Sequence, residues 1–258
     1  MNWSRSAAIV RQNWRLLMAD PASIVMLTVM PLLLMAFLEG TDRAVLTGAG
    51  YPGASGAEIA VPGMAVWFSF WGVGYIGMGF FNEHQWGTWD RLRTSHAGST
   101  EIVLGKILPG AALMLGQMAL LFVAGALLFG LQVHGSLIGL GLMMVVSIAL
   151  LVALSMLYTA VLRTANQMNA AVNLGAMVLG GLGGALAPVD ALPGWARAVA
   201  PASPAYWTLQ GFRAVILEGR GVDATLVPAM VALAFAAAAA AVAIWRFRLT
   251  DEKRGWEG

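Results

Sequence analysis

Apolar residues run along the chain in six blocks, at about 22–38, 61–81, 103–130, 136–162, 169–188 and 225–245, with polar stretches between them. Helices of this length and character cross a hydrocarbon layer about 30 Å thick, so the pattern predicts an all-α integral membrane protein of six transmembrane helices. The first block is short and carries Pro31 in its middle, which a membrane helix tolerates when a neighbouring helix satisfies the carbonyl that proline frees. Ahead of it, Trp3, Ala7, Val10, Trp14 and Leu17 recur at three-to-four spacing with Arg5, Arg11, Gln12 and Arg15 between them. That spacing predicts an amphipathic helix over 1–20 lying in the membrane interface, against the simpler alternative of a basic leader. It contains no long apolar core or small-residue cleavage site, so it does not read as a removable signal peptide. Asp20-Pro21 then breaks the helix before the first span.

Two polar stretches do not read as plain loops. In 189–224, Trp195, Val199, Tyr206, Trp207, Phe212, Val215 and Ile216 are interleaved with turn residues. These apolar side chains would be poorly solvated in an extended loop, so a pair of short re-entrant helices is predicted. The other stretch, 82–106, is a long polar interruption between the second and third spans.

Composition agrees with a single polytopic domain over 1–258: 59% of residues are hydrophobic and 11% charged, with a mean hydropathy of +0.74. Arg5, Arg11, Arg15, Arg91, Arg93, Lys106, Arg163, Arg246, Arg248, Lys253 and Arg254 fall on one side of the six-span pattern, against Arg43, Arg197, Arg213 and Arg220 on the other. The positive-inside rule makes the first side cytoplasmic. Both termini and the 82–106 stretch then lie inside a cell inner or plasma membrane, and 39–60 and 189–224 lie outside. A net charge of +2, with the basic residues clustered at membrane ends, gives no nucleic-acid surface. The absence of cysteine excludes disulfides and thiolate metal sites.

Several motifs fail on context. Gly72, Gly74 and Gly77 spell a dinucleotide fingerprint, but inside an apolar span with no preceding strand, where glycines serve close helix approach. Gly180, Gly181, Gly183 and Gly184 take the same explanation or mark a helix break. The Ala run 234–241 reads as a packing face of the last span. Gly105-Lys106 is followed by Ile107, and Thr100 stands where a phosphate-binding loop needs glycine, so the chain has no ATP site of that kind. His84, His96 and His134 lack metal-ligand spacing, and no metal or catalytic constellation is predicted. The fifteen methionines read as packing residues. The spans hold mild polar groups, Ser69, Gln117, Ser147, Ser155, Thr159, Asn166, Gln167, Asn169 and Asn173, where a gradient-driven transporter needs ionisable ones. Energy for transport must then enter elsewhere.

The 82–106 stretch carries a resemblance. Glu83-x-x-x-Gly87-Thr88-x-x-x-Leu92, followed by Glu101-Ile102-Val103-Leu104-Gly105-Lys106, resembles the cytoplasmic signature of ABC-2 type permeases, the membrane subunits of ATP-binding cassette exporters. Asp20-Pro21 with Pro31 is similar to that family's first span. Pro204, Tyr206, Gly211 and Arg213, with Glu218-Gly219, are similar to its outer hairpin. Gln85 replaces a usual second acid, and His96 stands where a proline is common. On its residues, Glu83 can pair with a basic group or cap a short helix whose Gly87-Thr88 start allows a tight turn. That helix, from about Thr88 to Ser95, offers Trp89, Asp90, Arg91, Leu92 and Arg93 to a partner's groove. A solvated loop without a partner fits the residue types equally, and the resemblance decides for docking.

The resemblance implies a coupling segment over 82–102, two separately encoded ATPase subunits that bind ATP and Mg, and a second permease subunit paired through spans one and five. No cofactor belongs to this chain. Spans two and five would line the path, with Trp67, Trp71, Tyr75, Asn169, Asn173 and Met177 as candidates. A path without formal charge suits an amphipathic drug-like compound or lipid. A glycan or glycolipid exporter, or a non-transporting anchor or sensor that recruits an ATPase, are the alternatives.

Overall fold

The computed structural model describes residues 3–19, 21–94 and 98–246. Residues 1, 2 and 20, residues 95–97 with Ser95 and His96, and the segment after Arg246, with its Arg248, Lys253 and Arg254, lie outside the described residues.

Among the described residues the fold is entirely helical. Helix α1 is Trp3–Met18, α2 Pro21–Gly48, α3 Ala57–Gln85, α4 Trp89–Arg93, α5 Ser99–Leu128 and α6 Leu137–Val161. Helix α7, Ala165–Gly175, passes into a π turn at Ala176–Gly180, and α8 Gly194–Val199, α9 Pro204–Ile216 and α10 Asp223–Arg246 complete the chain. Five of these, within α2, α3, α5, α6 and α10, are long and apolar enough to cross a membrane.

The first span differs most in length from its apolar block. The helix continues past residue 38 to Gly48 because its inward stripe continues: Leu27, Pro31, Met35, Asp42 and Leu46 are buried, at spacings that keep one helical face. Glu39, Asp42 and Arg43 therefore sit on α2, not in an outer loop. The block at 169–188 is not one long α-helix either. Eleven α-helical residues lead into the π turn, and Gly184, with φ near +95°, lies in the turn that ends the run. The glycine cluster thus marks a break, as one of its two readings held.

Helix α3 is the central element, packed against α2, α5, α6, α7 and α9. Its glycines explain the closeness: a Cβ at Gly72 would enter Met114, and one at Gly77 would collide with Met168. Side chains this small let helices approach where lipid supplies no hydrophobic drive between them. Helix α10 lies along α6 and α9 and buries Ala232, Ala236, Ala239 and Ala243, the packing face predicted for the alanine run.

The proline in α2 has a specific solution. Pro31 has no N–H to donate to the carbonyl of Leu27, and the Gln117 side chain on α5 donates to that oxygen at 3.1 Å. Ser155 on α6 likewise donates to the Val73 carbonyl of α3 at 2.8 Å.

Candidate functional site

Helix α3 ends in a Schellman cap. Gly87 takes φ +65°, its N–H reaches the His84 carbonyl at 3.2 Å, and the Thr88 N–H reaches the Glu83 carbonyl at 3.0 Å. Both bonds close carbonyls that a helix end leaves open, and a left-handed residue is needed to make them. The chain is thereby turned sharply into α4.

Glu83 sits in the last turn before that cap and holds three elements together. One carboxylate oxygen pairs with Lys106 of α5 at 2.9 Å, and the other accepts from the Thr88 hydroxyl. The Lys106 ammonium also donates to the Gly79 carbonyl at 2.8 Å, and its side chain is 2% exposed. A buried ammonium requires this degree of pairing, since its charge is otherwise costly to desolvate. Glu101 serves the start of α5 in turn, accepting from the Gly98 N–H at 3.1 Å.

Trp89 departs from its expected role. Its ring is 6% exposed, stacked on His84 at 4.5 Å between centroids and set edge-on to Phe80, in a small cluster with Ile102. It anchors α4 to α3 and α5 and is not available to a partner's groove, because the short α4 can bury its one large ring only against the helices that flank it. Asp90 and Arg91 are exposed on the same helix. The side chains of Leu92 and Arg93 lie outside the described residues. Helix α1 packs on α5 nearby, with Ile9 against Gly105.

Above this junction, a cavity of about 770 Å³ opens between α1, α2, α3, α5 and α7. Trp71, Tyr75, Asn169 and Asn173 line it together, with Asn82, Glu83 and Lys106 among its other lining residues. Asn173 donates to the Asn169 side chain at 3.0 Å. Two candidates fall outside its lining. Trp67 lies beside Gly180 of the π turn, with its indole N–H buried and without a hydrogen-bond partner among the described residues, and Met177 is 64% exposed.

At the other end of α3, the four motif residues of α9 have separate tasks. Pro204 is the first residue of the helix, behind a Ser203 cap. Tyr206 meets Trp207 edge-on, and Gly211 leaves room for Met143 of α6. Arg213 pairs with Asp190 at 3.1 Å.

Partner choice was harder to read from sequence than motif position. Lys106 marked only the end of a motif, yet it is the ligand of Glu83. The signal was present, because two consecutive antiparallel spans joined through one polar hairpin bring the end of one beside the start of the next. Nothing in the sequence pointed from Arg213 to Asp190.

A helical bundle with several membrane-length spans and a polar hairpin linking two of them defines a multi-pass membrane protein. The ABC-2 type transporter family model matches residues 6–217, so the chain belongs to that family and is the transmembrane permease subunit of an ABC transporter. Such a subunit associates with an ABC ATPase. No curated protein sequence matches the chain.

Proposed function

We infer that the chain is the permease of an exporter that moves an amphipathic drug-like compound or lipid from the cytoplasm or inner leaflet, driven by two separate ATPase subunits that bind ATP and Mg. The observation that carries this reading is the fastening of α4. Thr88, Glu83 and Lys106 join the start of α4 to α3 and α5, so a push on α4 is transmitted to two of the spans that border the cavity. The exposed Asp90 and Arg91 are the contact with the ATPase, and Trp89 transmits load inward.

In this reading α7 with its π turn serves as a sixth crossing, α1 lies in the interface, and α8 and α9 form the outer re-entrant pair. Both termini face the cytoplasm of a cell inner or plasma membrane. Two permease subunits pair through α2 and α7. Both helices carry large exposed apolar residues, Val29, Leu33 and Phe37 on one and Leu174 and Met177 on the other or its π turn. The cavity then faces the subunit boundary.

A glycan or glycolipid cargo is favoured by one feature, the asparagine amides set among Trp71 and Tyr75, a combination that stacks on and hydrogen-bonds to sugars. ATP hydrolysis by the reconstituted complex, titrated with candidate drugs, lipids and glycans, separates the cargo classes. Stimulation by an amphiphile, lost in Glu83→Gln with complex assembly intact, is the expected result. Undiminished stimulation in that variant would remove the lever, and failure of any ATPase to co-purify would favour an anchor role.

A further inference from the structure

A second pocket, of about 330 Å³, lies at the end of α3 remote from the Glu83 junction. It forms where α2 ends, at Val45–Ala49, and α3 begins, at Glu58–Pro62, and is closed by the turn at Val189–Ala191 and by α9. The walls are mainly aliphatic, including Val45, Leu46, Ile59 and Leu209. Its volume is at the small end for ligand sites, suited to a headgroup and the first part of a chain.

The polar groups of the pocket fall into two kinds. Glu58 is 3% exposed and is consumed locally, accepting from the Ser55 and Gly56 N–H groups at 3.1 and 3.0 Å. Asp190 and Arg213 are different. They pair through one guanidinium nitrogen, and their side chains remain 75% and 34% exposed. Glu218, the other acid near Arg213, is 3.9 Å away and is held by Arg220 at 3.0 Å. The Gln210 side chain makes no hydrogen bond among the described residues and also lines the pocket.

We propose that this pocket binds the headgroup of a zwitterionic phospholipid, its phosphate on Arg213, its ammonium on Asp190 and its first methylenes along Val45 and Leu209. Charge selects the class. A purely anionic head would meet Asp190 and a purely cationic one Arg213, whereas a zwitterion set in the opposite order satisfies both members of the pair. Depth selects the source. Asp190, in the short turn, and Arg213, on α9, face a pocket set where the membrane-length helices α2 and α3 end and begin, with apolar walls from those helices, which puts the pair at headgroup level. The proposal rests on the membrane placement given above and not on the cargo or the ATPase.

The test uses the full chain in nanodiscs of phosphatidylglycerol, photolabelled with a diazirine-bearing lysophosphatidylcholine and mapped by mass spectrometry. Adducts are expected on 45–51 and 209–217. Dihexanoylphosphatidylcholine should compete about ten-fold better than the phosphatidylglycerol or trimethylammonium analogue of equal chain length, the scale of one charged hydrogen bond. Arg213→Gln should move the preference toward the cationic competitor and Asp190→Asn toward the anionic one. Leu209→Trp, which fills the pocket and leaves both charges, should abolish the adducts. Equal competition by all three lipids, or adducts that survive Leu209→Trp, would overturn the proposal. Since the labelling needs no ATPase, it stands or falls separately from export.

Discussion

At the residue scale, the Glu83–Lys106 pair and Gly87 do different work and should fail differently. Removing one member of a buried pair strands the other charge, at a cost of about 3–5 kcal/mol, whereas removing both leaves no orphan. Glu83→Gln and Lys106→Met should therefore each lower the apparent Tm of the purified chain more than the double variant does. Additive losses in a double-mutant cycle would show that the 2.9 Å contact contributes no coupling. Gly87 is a backbone requirement. Its φ of +65° costs a residue with a Cβ about 1–2 kcal/mol, so Gly87→Ala should destabilise the turn while Gly87→Asn is better tolerated. Exchange of the Thr88 amide hydrogen reads this directly, and equal protection in both variants would remove the Schellman cap from the account.

At the element scale, the proline-bearing first span depends on a residue in another helix. Gln117 supplies the donor that Pro31 cannot, at 3.1 Å from the Leu27 carbonyl. Gln117→Leu should cost about 1–3 kcal/mol by leaving that carbonyl buried without a partner. Adding Pro31→Ala should recover much of the loss, because it restores an N–H at position 31 within the helix itself. Thermal unfolding of the four species measures the coupling, and independence of the two sites would refute it. Pro31 and the need for a compensating donor were legible in the sequence, but the identity of Gln117 was not, since 90 residues separate the partners. The same limit explains Trp89. Helical spacing marks a ring as apolar, yet only the packing of α3 against α5 decides that it faces His84 and Phe80. In the run at 169–188 the glycine cluster signals a helix break as one of its two readings, but hydropathy does not register the π turn ahead of it. Where a partner lay just across one hairpin, as Lys106 does for Glu83, the motif placed both residues and only their contact was left to the structure.

At the scale of the whole molecule, orientation controls every functional reading, because the Glu83 junction and the Arg213 pocket lie at opposite ends of α3. If the positive-inside rule holds, α4 faces the ATPase and the short link between α2 and α3 faces outward. Thr94 closes α4 through a bond to the Asp90 carbonyl at 2.8 Å, is exposed, and lies beyond the buried Trp89. Gly53 is exposed in the link, with open space around the position of a Cβ. The chain has no native cysteine, so Thr94→Cys and Gly53→Cys each introduce a single reporter. A membrane-impermeant maleimide added to intact cells should label position 53 and leave position 94 unlabelled until the cells are opened. The link is eight residues long, Ala49–Gly56, between two membrane-length helices, so position 53 cannot lie deep in the bilayer. Reversed labelling would invert the chain and put α4 where no ATPase can reach it. Labelling of both positions in intact cells would mean that α3 does not cross the membrane, despite being the most enclosed of the five long helices.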